Sequence, residues 1–218
     1  MRLTRLIPVA FILCMPALVT AQGWIEYVSR ADLYAVNFPG EPTVQDFMYL
    51  SERAGRFPAR RYTAAQGPSR YSVTVVDYTD AEKIHTERAK ACPPLAHTGC
   101  TGSPTMGVGA WIIDVRGAME FAASQYIQGN GKVTFYGWNF IDLVEGRQIH
   151  VTNPDGSRTF VAIHMHDNRL YILEGTVPQG YPEPGLFQQS LQFLDKEGKT
   201  VRYVTVYTNM MPPPPRSR

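Results

Sequence analysis

Residues 147–194 read RQIHVTNPDGSRTFVAIHMHDNRLYILEGTVPQGYPEPGLFQQSLQFL, and this stretch decides the fold. It opens with three segments that alternate apolar and polar residues, as strands with one buried face do. Asn153-Pro154-Asp155-Gly156-Ser157 separates the first two, and Asp167-Asn168 the last two. Both turns are rich in residues that tolerate left-handed backbone. A tight turn at Asp167-Asn168 places His166 opposite Arg169, His164 opposite Tyr171 and Ile163 opposite Ile172. Val161, Ile163, Met165, Leu170 and Ile172 then share a buried face. Phe160, Ala162, His164, His166, Tyr171 and Leu173 share the other, which is apolar enough to need cover too. A Pro/Gly crossover at Tyr181–Gly185 follows. Leu186, Phe187, Ser190, Leu191 and Leu194 after it fall at helical spacing and predict a helix that closes over the sheet.

Upstream, KVTFYGWNFIDLV (132–144) reads as one strand with a bulge or close approach at Gly137, and Glu145-Gly146 as the turn out of it. Downstream, Thr200–Thr208 predicts a last strand, and residues 209–218 a disordered, proline-rich basic tail. Nearer the start, 22–38 predicts a hairpin, which Phe38-Pro39-Gly40-Glu41-Pro42 ends. Further strands are expected at 43–50, 57–64 and 70–78. Thr79-Asp80-Ala81-Glu82 has the spacing of a capping box, opening a surface helix to about Ala91. From Ser103-Pro104 a second helix carries the apolar stripe Val108, Trp111, Ile112, Val115, Met119, Ala122 and Tyr126, with Asp114 pointing elsewhere. Gly129-Asn130-Gly131 caps it. Strands in hairpin order, with helices between groups of strands and no βαβ alternation, predict one α+β domain over 22–208. A mainly antiparallel sheet flanked by helices is expected.

Several of these segments resemble a known layout. An early aromatic strand running into VNFPGEP (36–42), the strand VTVVDY (73–78), and NRLYILEGTVP (168–178) followed by LFQQSLQFLD (186–195) are similar to the PsbP-like α-β-α sandwich superfamily. More narrowly, they resemble exported proteobacterial proteins of that layout. The likeness spans Trp24 to Tyr207. It implies a three-layer sandwich and an accessory role, since plant members assist photosystem II and others bind protein partners. Its motifs are structural, so it implies no site residue.

MRLTRLIPVAFILCMPALVTAQ (1–22) reads as a secretory signal. Arg2 and Arg5 supply the charge, and 6–19 an apolar core too short for a comfortable membrane span. Cleavage is expected between Ala21 and Gln22, giving a periplasmic or secreted protein with no stable span. Phe11-Ile12-Leu13 before Cys14 lacks the small residues of a lipoprotein site. Of 21 basic residues, Arg2 and Arg5 leave with the signal, so 19 face 19 acidic ones. A neutral mature chain excludes bulk electrostatic binding of nucleic acid or anionic membrane. Arg53, Arg56, Arg60 and Arg61 read as a solvated strand edge. Cys92 and Cys100 bracket CPPLAHTGC, and in an exported chain this spacing predicts a disulfide contributing about 2–3 kcal/mol.

Catalytic signatures are missing: no nucleophile elbow, H-E-x-x-H, Walker loop or S-x-x-K occurs. No cofactor is expected, and the reading is a non-enzymatic module that binds a protein or small ligand. The alternative is a metal-binding protein or metal-dependent enzyme built on His150, His164 and His166. The strand pairing aligns Ile149 and Val151 with Val161 and Ile163, which would bring all three imidazoles to one sheet face.

Overall fold

A computed structural model describes residues 23–91 and 109–217. The signal segment with its Ala21–Gln22 cut, and the Cys92–Cys100 pair, lie outside the described residues. Strand β1 (Ile25–Ser29) and β2 (Tyr34–Phe38) form the first hairpin. Next come β3 (Thr43–Leu50), β4 (Arg56–Gln66), β5 (Ser69–Asp77), α1 (Ala81–Lys90) and α2 (Ala110–Ile127). The chain continues through β6 (Lys132–Ile141), β7 (Val144–Thr152), β8 (Arg158–His166), β9 (Arg169–Val177), the short helix α3 (Gly185–Gln189) and β10 (Gln192–Phe193). A seven-stranded sheet runs β3-β4-β5-β9-β8-β7-β6, and a small one β1-β2-β10. Every neighbouring pair is antiparallel. The fold is α+β and mainly antiparallel. No helix among the described residues is long and apolar enough to cross a membrane.

The register of the deciding stretch follows its alternation. His166 faces Arg169, His164 faces Tyr171, and Ile163 faces Ile172 across β8 and β9. Asp167 and Asn168 take φ of 46° and 56°, the left-handed pair a two-residue hairpin turn needs. One face of the large sheet, with Val161, Ile163, Leu170 and Ile172, packs under α1 and α2. The other, with Ala162, Tyr171, Leu173, Val73 and Val75, packs against Tyr34, Val36, Phe38, Phe187 and Phe193. The layer on that second face is thus the small sheet plus one turn of helix.

Asp32 ties the two sheets together. The Tyr62 hydroxyl donates to its Oδ2, and Arg60 Nη1 to its Oδ1 at 3.0 Å. Tyr171 donates to its carbonyl at 2.8 Å. Arg60 also bonds Asp46, so this arginine is a strap rather than part of a solvated edge.

Elsewhere the local patterns mislead. The hairpin between β6 and β7 turns at Asp142-Leu143, with φ of 47° and 64°, and Glu145-Gly146 lies inside β7. The register shift in β6 falls between Val133 and Phe135; Gly137 is instead the close approach, where a Cβ would stand 2.9 Å from the Phe135 ring. The helix expected over Leu186–Leu194 stops after Gln189. Ser190 Oγ accepts from the Asn37 amide at 2.9 Å, and Gln192 and Phe193 then pair with β2. Over 200–208 the alternation is real, since Val201, Tyr203 and Tyr207 are buried. The backbone nevertheless makes only isolated bridges among the described residues, Thr200 to Leu194, Tyr203 to Arg216 and Tyr207 to Val144. The stretch expected to be a disordered tail lies alongside, with Val204 N–H donating to Pro215 O at 3.0 Å and Ser217 N–H to Arg202 O at 2.8 Å. No capping box forms on α1; Thr79 donates instead to Asp77, through its amide at 2.9 Å and its hydroxyl at 2.6 Å.

Candidate functional site

His150, His164 and His166 do share one sheet face, but they do not converge. His150 lies opposite Phe160, four residues along β8 from His164, or about 13 Å at strand rise. Its ring sits between Phe135 and Phe160, at 4.9 and 4.7 Å. His164 is fully buried where β7 passes it at Gly146. A Cβ on Gly146 would stand 2.3 Å from His164 Nδ1, so only glycine lets the two strands close over the ring. Asn139 lies 3.4 Å from the other ring nitrogen. His166 stacks on Phe193 at 4.7 Å and shares a 2.8 Å hydrogen bond with Tyr203. Burial lowers both His164 and His166 to a pKa of about 4. For His166 the nearby Asp167 pulls upward, while Arg216 and Arg169 add to the lowering. These are neutral imidazoles used as flat, polar core residues. Among the described residues no three His, Cys, Asp or Glu side chains gather to hold a metal ion, so the metal alternative loses its geometric basis.

A buried polar cluster that the helical stripe did not reveal sits on the other face. Asp114 is 1 % exposed, facing the sheet on α2. Its Oδ2 accepts from Ser51 Oγ at 2.5 Å and meets His85 Nε2 at 2.7 Å, while the Arg53 amide approaches Oδ1 at 3.4 Å. Ser51 Oγ itself accepts from Gly55 N–H at 3.0 Å. Serine and histidine thus converge on one carboxylate oxygen, and the serine has no base of its own. This is a clamp joining α1, α2 and the β3–β4 turn, not a nucleophile relay.

Two of the concavities among the described residues are candidate ligand sites. The smaller, about 400 Å³, lies between α2 and the β3–β5 end of the sheet. Tyr126 donates to Glu174 there at 2.8 Å, and Arg61 stacks 5.3 Å over Phe47. Burial, then Glu174, pushes the Tyr126 phenol well above its usual range.

The larger is a groove of about 860 Å³ at the opposite end of the β4–β5 hairpin from the Asp114 clamp. Its floor is Tyr71 and Phe187, whose rings meet at 5.3 Å. Trp24 forms one wall, edge-on to Tyr71 at 5.1 Å and donating to Gln66 at 3.3 Å. The crossover from Tyr181 to Pro184 and the start of α3 form the other. Pro184 lies flat because β9 carries Gly175 beneath it; a Cβ there would come within 2.6 Å of the proline ring. Trp24, Tyr181 and Leu186 are 41 %, 46 % and 83 % exposed, a clustering of large apolar groups that isolated surface residues do not show. Along the rim stand amides and hydroxyls: Asn37, Gln66, Gln189 and Ser190. The charged group lining it is Glu183, 3.8 Å from Arg158. The crossover was legible in the sequence. The groove was not, because it needs Trp24 and Leu186, 162 positions apart, to face each other.

No protein-family model matches the chain, and no curated protein matches it. Among solved structures it is similar to the solution structure of cyanobacterial PsbP (CyanoP) from Synechocystis sp. PCC 6803. That likeness has 10 % identity, covers 83 % of this chain and 98 % of the other, and has a TM-score of 0.44.

Proposed function

We propose that this protein is an exported accessory module that holds an extended, apolar segment of a partner protein in the groove between Trp24 and the Tyr181–Leu186 crossover. The observation that carries this reading is the groove's chemistry. Aromatic and proline surfaces suit apolar side chains, and primary amides on the rim can both donate to and accept from a peptide main chain. An acyl chain would leave those amides idle. A strongly charged ligand would find only Glu183, already beside Arg158. Export is supported by the basic-then-apolar start of the chain and the small residue before the expected cut after Ala21.

Selection of displayed heptapeptides on the mature chain (Gln22 onward) tests this. Apolar, aromatic-containing peptides should be enriched, and synthetic versions should bind at about micromolar Kd. Leu186→Glu, at a side chain already 83 % exposed, should weaken them at least about tenfold without changing stability. Peptides enriched for acidic residues, or binding untouched by Leu186→Glu together with Trp24→Ala, would rule the groove out.

A further inference from the structure

The sequence VTFYGWNFI (133–141) contains no charged residue between Lys132 and Asp142. It is also an edge: β6 ends the large sheet and, among the described residues, pairs only with β7. Edge strands present unpaired backbone groups, and proteins ordinarily guard them with charges, prolines or short length. The other edge, β3, follows that practice in part, with Asp46 exposed in its middle and bonded to Arg60. Strand β6 is ten residues long and shows four large aromatics, Phe135, Tyr136, Trp138 and Phe140, each 44–65 % exposed.

Three of these are held on the face bordering α2, since Tyr136, Trp138 and Phe140 lie across from Ile149, Arg147 and Glu145. Tyr136 donates to Glu120 at 2.5 Å. The Arg147 guanidinium lies 3.9 Å over the Trp138 ring and pairs with Glu120 at 2.5 Å and Glu145 at 3.2 Å. Rings fixed in this way lose little further freedom on binding.

The strand is also self-complementary, and from this we infer that β6 is the docking edge for a second copy of the same chain. Antiparallel pairing about a two-fold axis at Gly137 sets Tyr136 of each copy against Trp138 of the other, a favourable cross-strand aromatic pair made twice. Glycine meets glycine at the axis, each covered by the Phe135 ring of its own chain, which lies 2.9 Å from where a Cβ would stand. The register shift near Thr134 confines the new ladder to its centre, and Lys132 of each copy arrives at the Asp142 end of the other. Asp142 now faces Arg202 at 3.5 Å, a partly exposed pair that costs little to exchange. The seven-stranded sheets become one continuous sheet across the dimer.

Sedimentation equilibrium of the mature chain over a wide concentration series tests this. The weight-average mass should rise from one chain to two. Trp138→Lys, at an exposed position, should move the midpoint upward by at least about tenfold by removing both aromatic pairs. Leu50→Lys on the β3 edge should leave the midpoint in place. Circular dichroism checks that both variants are folded. A mass that stays at one chain throughout overturns the inference. So does a dimer that survives Trp138→Lys or that Leu50→Lys abolishes, since it would use another surface.

Discussion

Lowering the pH from 6.5 to 4.5 is expected to remove about 4 kcal/mol of folding stability, a large share of what a domain of this size holds. The cause is the pair of core imidazoles. Burial holds His164 and His166 near a pKa of about 4, against 6.5 when exposed. The folded chain therefore keeps them neutral, whereas the unfolded chain takes up a proton at each as the pH drops through 6.5. Stability is fully present above that value and falls as the pH approaches 4. Each group contributes a slope of about 1.4 kcal/mol per pH unit in that window. Urea unfolding at pH 7.0, 5.5 and 4.5 measures it. His166→Phe keeps a flat ring against Phe193 and should remove about half the slope, even though Tyr203 loses its partner. A loss below about 1 kcal/mol across the window would mean that water reaches both rings, and that the face they occupy is not closed as described.

How far the fold could be read depended on where each backbone finds its partner. The β8–β9 hairpin was legible because its partner is two residues away and its turn, Asp167-Asn168, allows only one register. The α+β class followed from the same local signals. The strand expected at 200–208 does bury Val201, Tyr203 and Tyr207, yet nothing local could show that Tyr207 would bond the Leu143 turn instead of a strand. Helical spacing at 186–194 was overridden by pairing with β2, whose sequence lies about 150 positions earlier. That pairing turned Leu186 outward and made the groove wall. The histidine face was deduced correctly, but not its use: the sequence places three imidazoles on one side of a sheet without showing that aromatic rings and Gly146 fill the space between them.

The Asp114 clamp is where helical periodicity was most misleading, and it leads to the second large effect. The stripe correctly included Val115 and Ala122, which are buried, but its bulkiest members Trp111, Met119 and Tyr126 only flank the contact. The residues pressed onto the sheet are Val115, Ala118, Ala122 and Ala123, because short side chains let the helix come close, and that rotation carries Asp114 inward. Asp114→Ala should cost about 3–4 kcal/mol, since it leaves Ser51, His85 and the Arg53 amide without their acceptor in a region closed to water. The signature is a lower urea midpoint with an unchanged slope. Should that variant be too unstable to purify, Ser51→Ala removes one donor and strands the Gly55 amide, at an expected cost of about 1–2 kcal/mol. Combining Ser51→Ala with His85→Phe should cost less than the sum of the single changes, because both act through the same carboxylate oxygen. Strict additivity, or an Asp114→Ala protein within about 1 kcal/mol of the parent, would show that the carboxylate is solvated in solution and that α1 and α2 are held to the sheet by their apolar contacts alone.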